Sequence, residues 1–301
     1  MSSPSPILRA AASRLAARRV WVSGARGFLG GRLAEALVDA GAAVARFDGD
    51  VRDADAVRSS IHAARPDVVF HLGAKVDVRR DPTLDAVMRE VLYEGSLHVA
   101  DAVPRGARLV HVGTCEEYGT IPAPYAEDDE PSAPVSPYAA WKLATTRELL
   151  RRGGDVVVAR PFLTYGPGQR PRQLVPAAIR AALAGTRFPM TTGEQTREWN
   201  FVDDTVAGLL RCAVADFRGL VNVCGGPELS VAAMVRRVFA VAGASEDLVA
   251  VGALPQRAGE VGRFFGDAHR CREVLGHTPA VELDEGLRRT VAWWRARGEA
   301  A

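Results

Sequence analysis

Lysine is almost missing from this chain. Of its 38 basic residues only Lys75 and Lys142 are lysines. Where arginine is the default cation, a retained lysine points to a task that needs a compact ammonium. Cysteine is scarce as well. Cys115, Cys212, Cys224 and Cys271 show no CxxC pair and no zinc-ligand spacing, so neither a disulfide framework nor a metal site is expected. Buried free thiols in a reducing cytoplasm suit this pattern. No apolar run is long enough to span a membrane. No stripe of basic residues interleaved with aromatics is present, which argues against a nucleic-acid surface.

The formal net charge is only +2, and it is local. The first nineteen residues carry Arg9, Arg14, Arg18 and Arg19 and no acid. They lack a long apolar h-region, so a frayed or helical extension over 1–18 is expected here, not a secretion signal. The remaining composition, 48% hydrophobic and 25% charged, is that of a soluble chain able to bury one large core or two joined ones.

The stretch that organises the sequence runs from Val20 to Gly41. Val20-Trp21-Val22 is a short apolar run of strand type, and Gly24, Gly27 and Gly30 follow at spacing three. Leu29, Leu33, Leu37 and Ala40 then recur at helical spacing, with Gly41 as a stop. A strand that enters a glycine-rich turn and opens a helix is suited to a diphosphate. The glycines let backbone approach the ligand, and the first-turn N–H groups face its charge. The spacing is GxxGxxG, not the GxGxxG of the ordinary dinucleotide fingerprint. A second strand ends at Asp48, about twenty positions beyond the turn, where an acid can hold the ribose hydroxyls.

Further strands are expected at 68–72, 108–112 and 155–159, with helices to Arg65, over Thr83–Val103 and over Tyr138–Arg152. Alternating strands and helices predict a parallel sheet covered on both faces. The remainder is more mixed, with helices near 174–184, 230–243 and 284–297.

Tyr138 and Lys142 stand at i and i+4, on one face of a predicted helix. An ammonium beside a phenol favours the phenolate, so the tyrosine can exchange a proton at a carbinol or carbonyl. Thr114 lies just beyond a predicted strand, where open α/β sheets place their ligands.

The order of these signals resembles the extended short-chain dehydrogenase/reductase family, in its NAD-dependent epimerase/dehydratase branch acting on nucleotide sugars. The matching segments are SGARGFLG (23–30), GDVRD (49–53), HLGAKV (71–76), GTCEEYG (113–119), SPYAAWK (136–142), RPFLTYGPGQRP (160–171), REWNFVDD (197–204), VNVCGG (221–226) and residues 257–279. The resemblance implies a Rossmann-type, doubly wound α/β fold with a smaller mixed C-terminal part. A dinucleotide domain is expected over 19–165 plus 199–223, and a nucleotide-sugar domain over 166–198 plus 224–301. It also implies a homodimer joined through the helices near 84–103 and 138–152.

The resemblance assigns Thr114, Tyr138 and Lys142 as the catalytic trio, with Cys115 and Glu116 as further candidates. Cofactor contacts are implied at Gly24, Arg26, Gly27, Phe28, Leu29 and Gly30, at Asp48, Asp50 and Val51, at Leu72, Gly73 and Ala74, and at Pro161, besides Tyr138 and Lys142. Substrate contacts are implied at Lys75, Thr114, Leu163, Arg172, Arg197 and Arg257; two arginines suit a diphosphate through their planar donor forks. Asp48 favours NAD, whereas Arg26 and Arg46 suit the extra phosphate of NADP.

Leu92 and Leu163 replace asparagines frequent in the family, Trp141 a small residue, and Lys75 a glutamine or small residue. The triplet Thr114-Cys115-Glu116 is compatible with a 4,6-dehydratase or an epimerase, and also with a 4-keto-6-deoxyhexose reductase. The short segment after the second strand and the missing asparagines favour the reductase. A cofactor-binding regulatory protein is the alternative of another class.

Overall fold

The computed structural model describes residues 3–256 and 259–298. Six strands form the central sheet: β1 (Arg19–Ser23), β2 (Ala43–Phe47), β3 (Val68–His71), β4 (Arg108–Val112), β5 (Val156–Pro161) and β6 (Gly219–Val223). Their spatial order is β6-β5-β4-β3-β1-β2, every pairing parallel. The chain leaves β1 toward β2 and returns across it to β3. That reversal opens a crevice at the carboxyl ends of β1 and β3, the place where such sheets bind ligands.

Strand β1 shows why this sheet must be covered twice. Val20 and Val22 pack into the core shared with α2 (Phe28–Asp39). Trp21 points the other way, stacks on Phe47 at 5.3 Å and donates from Nε1 to Ser60 Oγ in α3 (Ala54–Ala64). A strand apolar on both faces cannot lie on a surface.

Of the frayed or helical extension expected at the N-terminus, the helical form is present over Pro6–Ser13. Helix α1 (Pro6–Ser13) buries Leu8, Ala11 and Ala12, and Leu15 follows into the same core. The backbone N–H of Ser5 donates to Asp203 at 2.7 Å, which ties the helix to α7 (Val202–Cys212).

The single helix expected over 83–103 is interrupted. A 3₁₀ turn (Pro82–Leu84) leads into Asp85–Met88, then a π-helical turn (Arg89–Glu94), then Gly95–Ala102; we call the whole α4. The wider turn brings the Leu92 carbonyl within reach of two hydroxyls, Ser96 Oγ at 2.6 Å and Thr145 Oγ1 at 2.8 Å. Thr145 lies on α5 (Pro137–Arg152), so this irregularity locks α4 to the helix that carries Tyr138 and Lys142.

Beyond β5 the chain builds smaller pieces. A three-stranded sheet joins Glu228–Ser230, Thr196–Glu198 and Arg263–Phe264; two-stranded pairs join Phe188–Pro189 with Val249–Ala250 and Thr164–Tyr165 with Asn200–Phe201. Helices α6 (Leu174–Ala184) and α8 (Val231–Ala242) pack on them, α10 (Leu283–Arg295) packs on those two helices, and α9 (His269–Leu275) lies beside β6. One continuous apolar core runs from α1 and β1 through α7 to Leu287 and Trp294 of α10.

Candidate active site

The mouth of the crevice is made by backbone. Gly24 has φ +74°, and a Cβ there would lie 2.7 Å from the Leu72 carbonyl carbon. A Cβ on Gly30 would lie 2.2 Å from the Gly24 oxygen. Glycine is therefore required twice, once for the turn and its approach to β3, once for the closeness of α2 to the loop. Gly27 caps α2 without any side-chain hydrogen bond, so the helix presents its first-turn N–H groups outward. Phe28 and Leu29 occupy that first turn.

A cleft of about 440 Å³ lies in front of this loop, lined by Gly24, Arg26, Asp48, Asp50, Gly73 and Lys75 among others. Val51 and Ala74 also line it. Of the expected cofactor residues, the loop and the ends of β2 and β3 thus come together. Pro161 stands at the end of β5, farther along the sheet.

Arg26 and Asp48, read from the sequence as pointing to different cofactors, are paired with each other. The guanidinium reaches the Asp48 carboxylate at 3.1 Å and its backbone carbonyl at 2.8 Å, and both side chains are largely exposed. Asp50 is drawn to Arg52 at 2.6 Å, which holds its carboxyl below the usual range.

The floor is made by side chains. Thr114 lies two residues beyond β4 and caps the 3₁₀ turn Cys115–Tyr118, its backbone N–H donating to Glu117 Oε1 at 2.8 Å. The other Glu117 oxygen accepts from Arg160 of β5 at 2.8 Å, with both side chains essentially fully buried. The guanidinium also lies 4.4 Å from the centre of the Tyr118 ring. Thr114 is thereby held by an ion pair between the turn after β4 and the neighbouring strand β5. Neither Glu117 nor Arg160 was among the residues expected in the site.

Helix α5 opens on Ser136, whose hydroxyl accepts from the Ala139 N–H, with Pro137 in its first turn. This entry sets Tyr138 near Thr114, close enough for the threonine to ease its ionisation. One turn later, buried Lys142 donates to the Val112 carbonyl at 2.6 Å.

The lowering of the Tyr138 hydroxyl expected from Lys142 is opposed by burial. Burial pushes the Tyr138 hydroxyl well above its ordinary range, partly offset by Thr114. Lys142 is engaged with β4, and its own burial pulls the ammonium down to about 8. An anion is costly in the apolar pocket that Tyr138 forms with Met88 and Leu92.

Glu116 is half-buried. Burial raises its carboxyl, while Arg197 and Arg80 pull it back. Cys115 does not share this exposure. It packs with Tyr118, Tyr125, Phe162 and Phe264, and burial drives its thiol far above the normal range, so no thiolate assists from there.

Arg197, expected to grip phosphate, is occupied within the protein. It pairs with Glu260 at 2.7 Å and donates to the Thr196 and Val261 carbonyls, its charge stacked over Phe264. Leu163 offers its carbonyl to the Asn200 N–H at 2.9 Å. Trp141 donates to Asp85 at 2.9 Å. Arg172 is exposed in the loop before α6, and Arg257 lies outside the described residues. Among the described residues no cluster suits a metal ion, and no helix is long and apolar enough to cross a membrane.

This geometry has known counterparts. A dTDP-glucose 4,6-dehydratase from Streptomyces griseus is 36% identical over 258 residues, covering 83% of this chain and 77% of its own. A UDP-glucose 4-epimerase from Mycolicibacterium smegmatis is 31% identical and covers 93% of this chain and 100% of its own. Among solved structures, the dTDP-glucose 4,6-dehydratase from Streptomyces venezuelae, determined with NAD bound, matches with a TM-score of 0.82 at 28% identity, over 93% of this chain and 98% of its own. Residues 20–224 match the family described as NAD dependent epimerase/dehydratase. That span begins on the first buried residue of β1 and ends one residue past β6, so it takes in the whole six-stranded sheet, and the chain belongs to that family.

Proposed function

We propose that this protein is an NAD-dependent enzyme that oxidises C4 of a nucleotide-linked hexose and then eliminates water across C5 and C6, a 4,6-dehydratase. The observation that carries this reading is Glu116. Its half-buried carboxyl is raised by burial, feels the charges of Arg197 and Arg80, and is close enough to influence Tyr138. A carboxyl raised toward neutrality is matched to take a proton and return it.

The residues present fit NAD. The uncapped start of α2 suits the diphosphate, the glycine turn leaves backbone exposed to it, and Asp48 at the end of β2 suits ribose hydroxyls. When bound, NAD supplies reversible hydride exchange. Tyr138, in the phenolate form that the positive ring of bound NAD would favour, takes the proton of the C4 hydroxyl, and Thr114 orients that oxygen. Lys142 holds positive charge beneath the pair. Once C4 is a ketone the C5 proton is acidic; Glu116 removes it and passes it to the departing C6 hydroxyl, which leaves as water, after which the hydride taken from C4 would return to C6 and the proton held by Tyr138 to C5. The net change is NDP-hexose to NDP-4-keto-6-deoxyhexose plus water, with no net oxidation.

The relatives described above carry dehydratase and epimerase names, which favours this reading over the keto-sugar reductase expected from the sequence. One observation favours 4-epimerisation as the second reading: Cys115, beside Glu116, is withdrawn into an apolar cluster and supplies no second acid.

The test is mass spectrometry after incubation with NAD and dTDP-glucose or UDP-glucose. Loss of one water supports the dehydratase. Unchanged mass with inversion at C4 establishes the epimerase. Turnover only of a 4-keto sugar, with consumption of added NADH, overturns both. A homodimer in the cytoplasm, joined through α4 and α5, completes the proposal; sedimentation of a monomer would remove that part.

A further inference from the structure

Beneath Tyr138 and Lys142 lies a group of buried polar side chains that the proposed reaction does not touch. His111, the residue before Val112 on β4, is fully buried, and among the described residues neither ring nitrogen has a hydrogen-bond partner. Thr146 stands one turn beyond Lys142 on α5; it too is buried, and its Oγ1 has no partner among the described residues. His71 occupies the paired position on β3, its ring centre 5.3 Å from that of His111. Both His71 nitrogens are engaged, with Ser23 Oγ at 2.6 Å and Ser96 Oγ at 2.9 Å.

A neutral imidazole carries one donor and one acceptor. Leaving both unmet in a core is unfavourable, and internal water is the usual remedy where several polar groups converge. His111 lies close enough to Lys142 to feel its charge, and Thr146 follows Lys142 by one turn on α5.

We propose that His111 and Thr146 hold a buried water beneath Lys142, and that through it His111 is a positioning residue that keeps the ammonium charged and seated on Val112. The proposal rests on the role proposed for Lys142. The groups facing Lys142 are His71 from β3, His111 from β4, Glu117 from the turn after β4, and Tyr138 on its own helix. Glu117 is the acid among them, and it is tied to Arg160. Burial beside Lys142 holds both histidines neutral, His71 down to about 3. Lys142, at about 8, is therefore the group in this cluster that titrates near neutral pH. A wet floor limits the loss of its charge, and a dry one deepens it.

The scarcity of lysine makes this directly readable. With Lys75 and Lys142 as the only two lysines, selective ¹³Cε labelling of the NAD-bound protein gives two resonances, one from an exposed side chain and one from a buried one. The buried resonance titrates in the unaltered chain with a midpoint below that of the exposed one, because burial lowers the Lys142 ammonium. In His111→Phe its midpoint falls by about 0.5 to 1 pH unit, and in Thr146→Val it falls in the same direction by less. His111→Gln, which keeps a donor and an acceptor, restores most of the shift. A crystal structure of the NAD complex shows a water within hydrogen-bond distance of His111 and Thr146.

An unchanged midpoint in both Thr146→Val and His111→Phe, or a dry pocket, overturns the proposal. Thr146→Val changes a single atom group and carries the test should His111→Phe not fold. The readout needs no substrate. Full turnover in Lys142→Met would sink the role of Lys142 while leaving the titration result standing, so the two failures are separable.

Discussion

At the mouth of the crevice the chain shows backbone to the ligand; at the floor it buries side chains. Around Gly24 and Gly30 the shape comes from missing Cβ atoms, and the nearby charges, Arg26 and Asp48, are largely exposed. Around Thr114 it comes from a buried ion pair, a buried lysine and a buried phenol. Water screens charge at the first place and not at the second. Losing a charge should therefore matter little at the mouth and a great deal at the floor, whereas adding a methyl group should matter most at the mouth.

The largest effect is expected at the floor. Tyr138→Phe removes the proton carrier and keeps the ring in its pocket, so turnover should fall by about 10² to 10⁴. NAD affinity, measured by fluorescence titration, should stay within about twofold, because the mouth is untouched. Near-normal turnover would break the assignment of the whole floor.

Next comes the ion pair. Glu117→Gln leaves the Arg160 guanidinium buried without its counter-charge, which costs about 3 to 5 kcal/mol of stability. Denaturant unfolding measures it. A loss under about 1 kcal/mol would mean that water reaches this pair and that mouth and floor are less different than they look.

The mouth has its own large effect, and it is steric. In Gly30→Ala the new methyl meets the Gly24 oxygen, so α2 must move off the loop. NAD affinity should drop by at least about tenfold, or about 1.4 kcal/mol. Unchanged affinity would show that the loop does not carry the diphosphate.

The same division decided what the sequence revealed. The mouth is local: strand, glycine turn and helix lie within twenty-two consecutive residues, and each signal is a short-range pattern. The Tyr138–Lys142 spacing was legible for the same reason. The floor depends on partners far apart in the chain, Glu117 with Arg160 and Ser23 with His71. Only half of that was signalled, since Thr114 and Glu117 have the spacing of a capping box. Arg197 was read by its charge, but Glu260, which occupies it, lies 63 residues away. The direction of the Tyr138 shift was misread because sequence spacing shows the neighbouring cation and not the burial that opposes it. The interrupted α4 carries no proline in the π turn to announce it.

The smallest effect should come from Arg26→Ala, and it sharpens the comparison most. The pair with Asp48 is exposed, so its loss should change stability by less than about 1 kcal/mol. Cofactor preference should change more than stability does. While paired, Arg26 offsets the carboxylate that would meet a 2′-phosphate; without it, Asp48 faces that phosphate alone. NADP affinity should therefore fall several-fold while NAD affinity stays within about threefold, and low salt should widen the gap. A fall in both together would mean that Arg26 acts on the shared diphosphate, so that charge matters at the mouth after all.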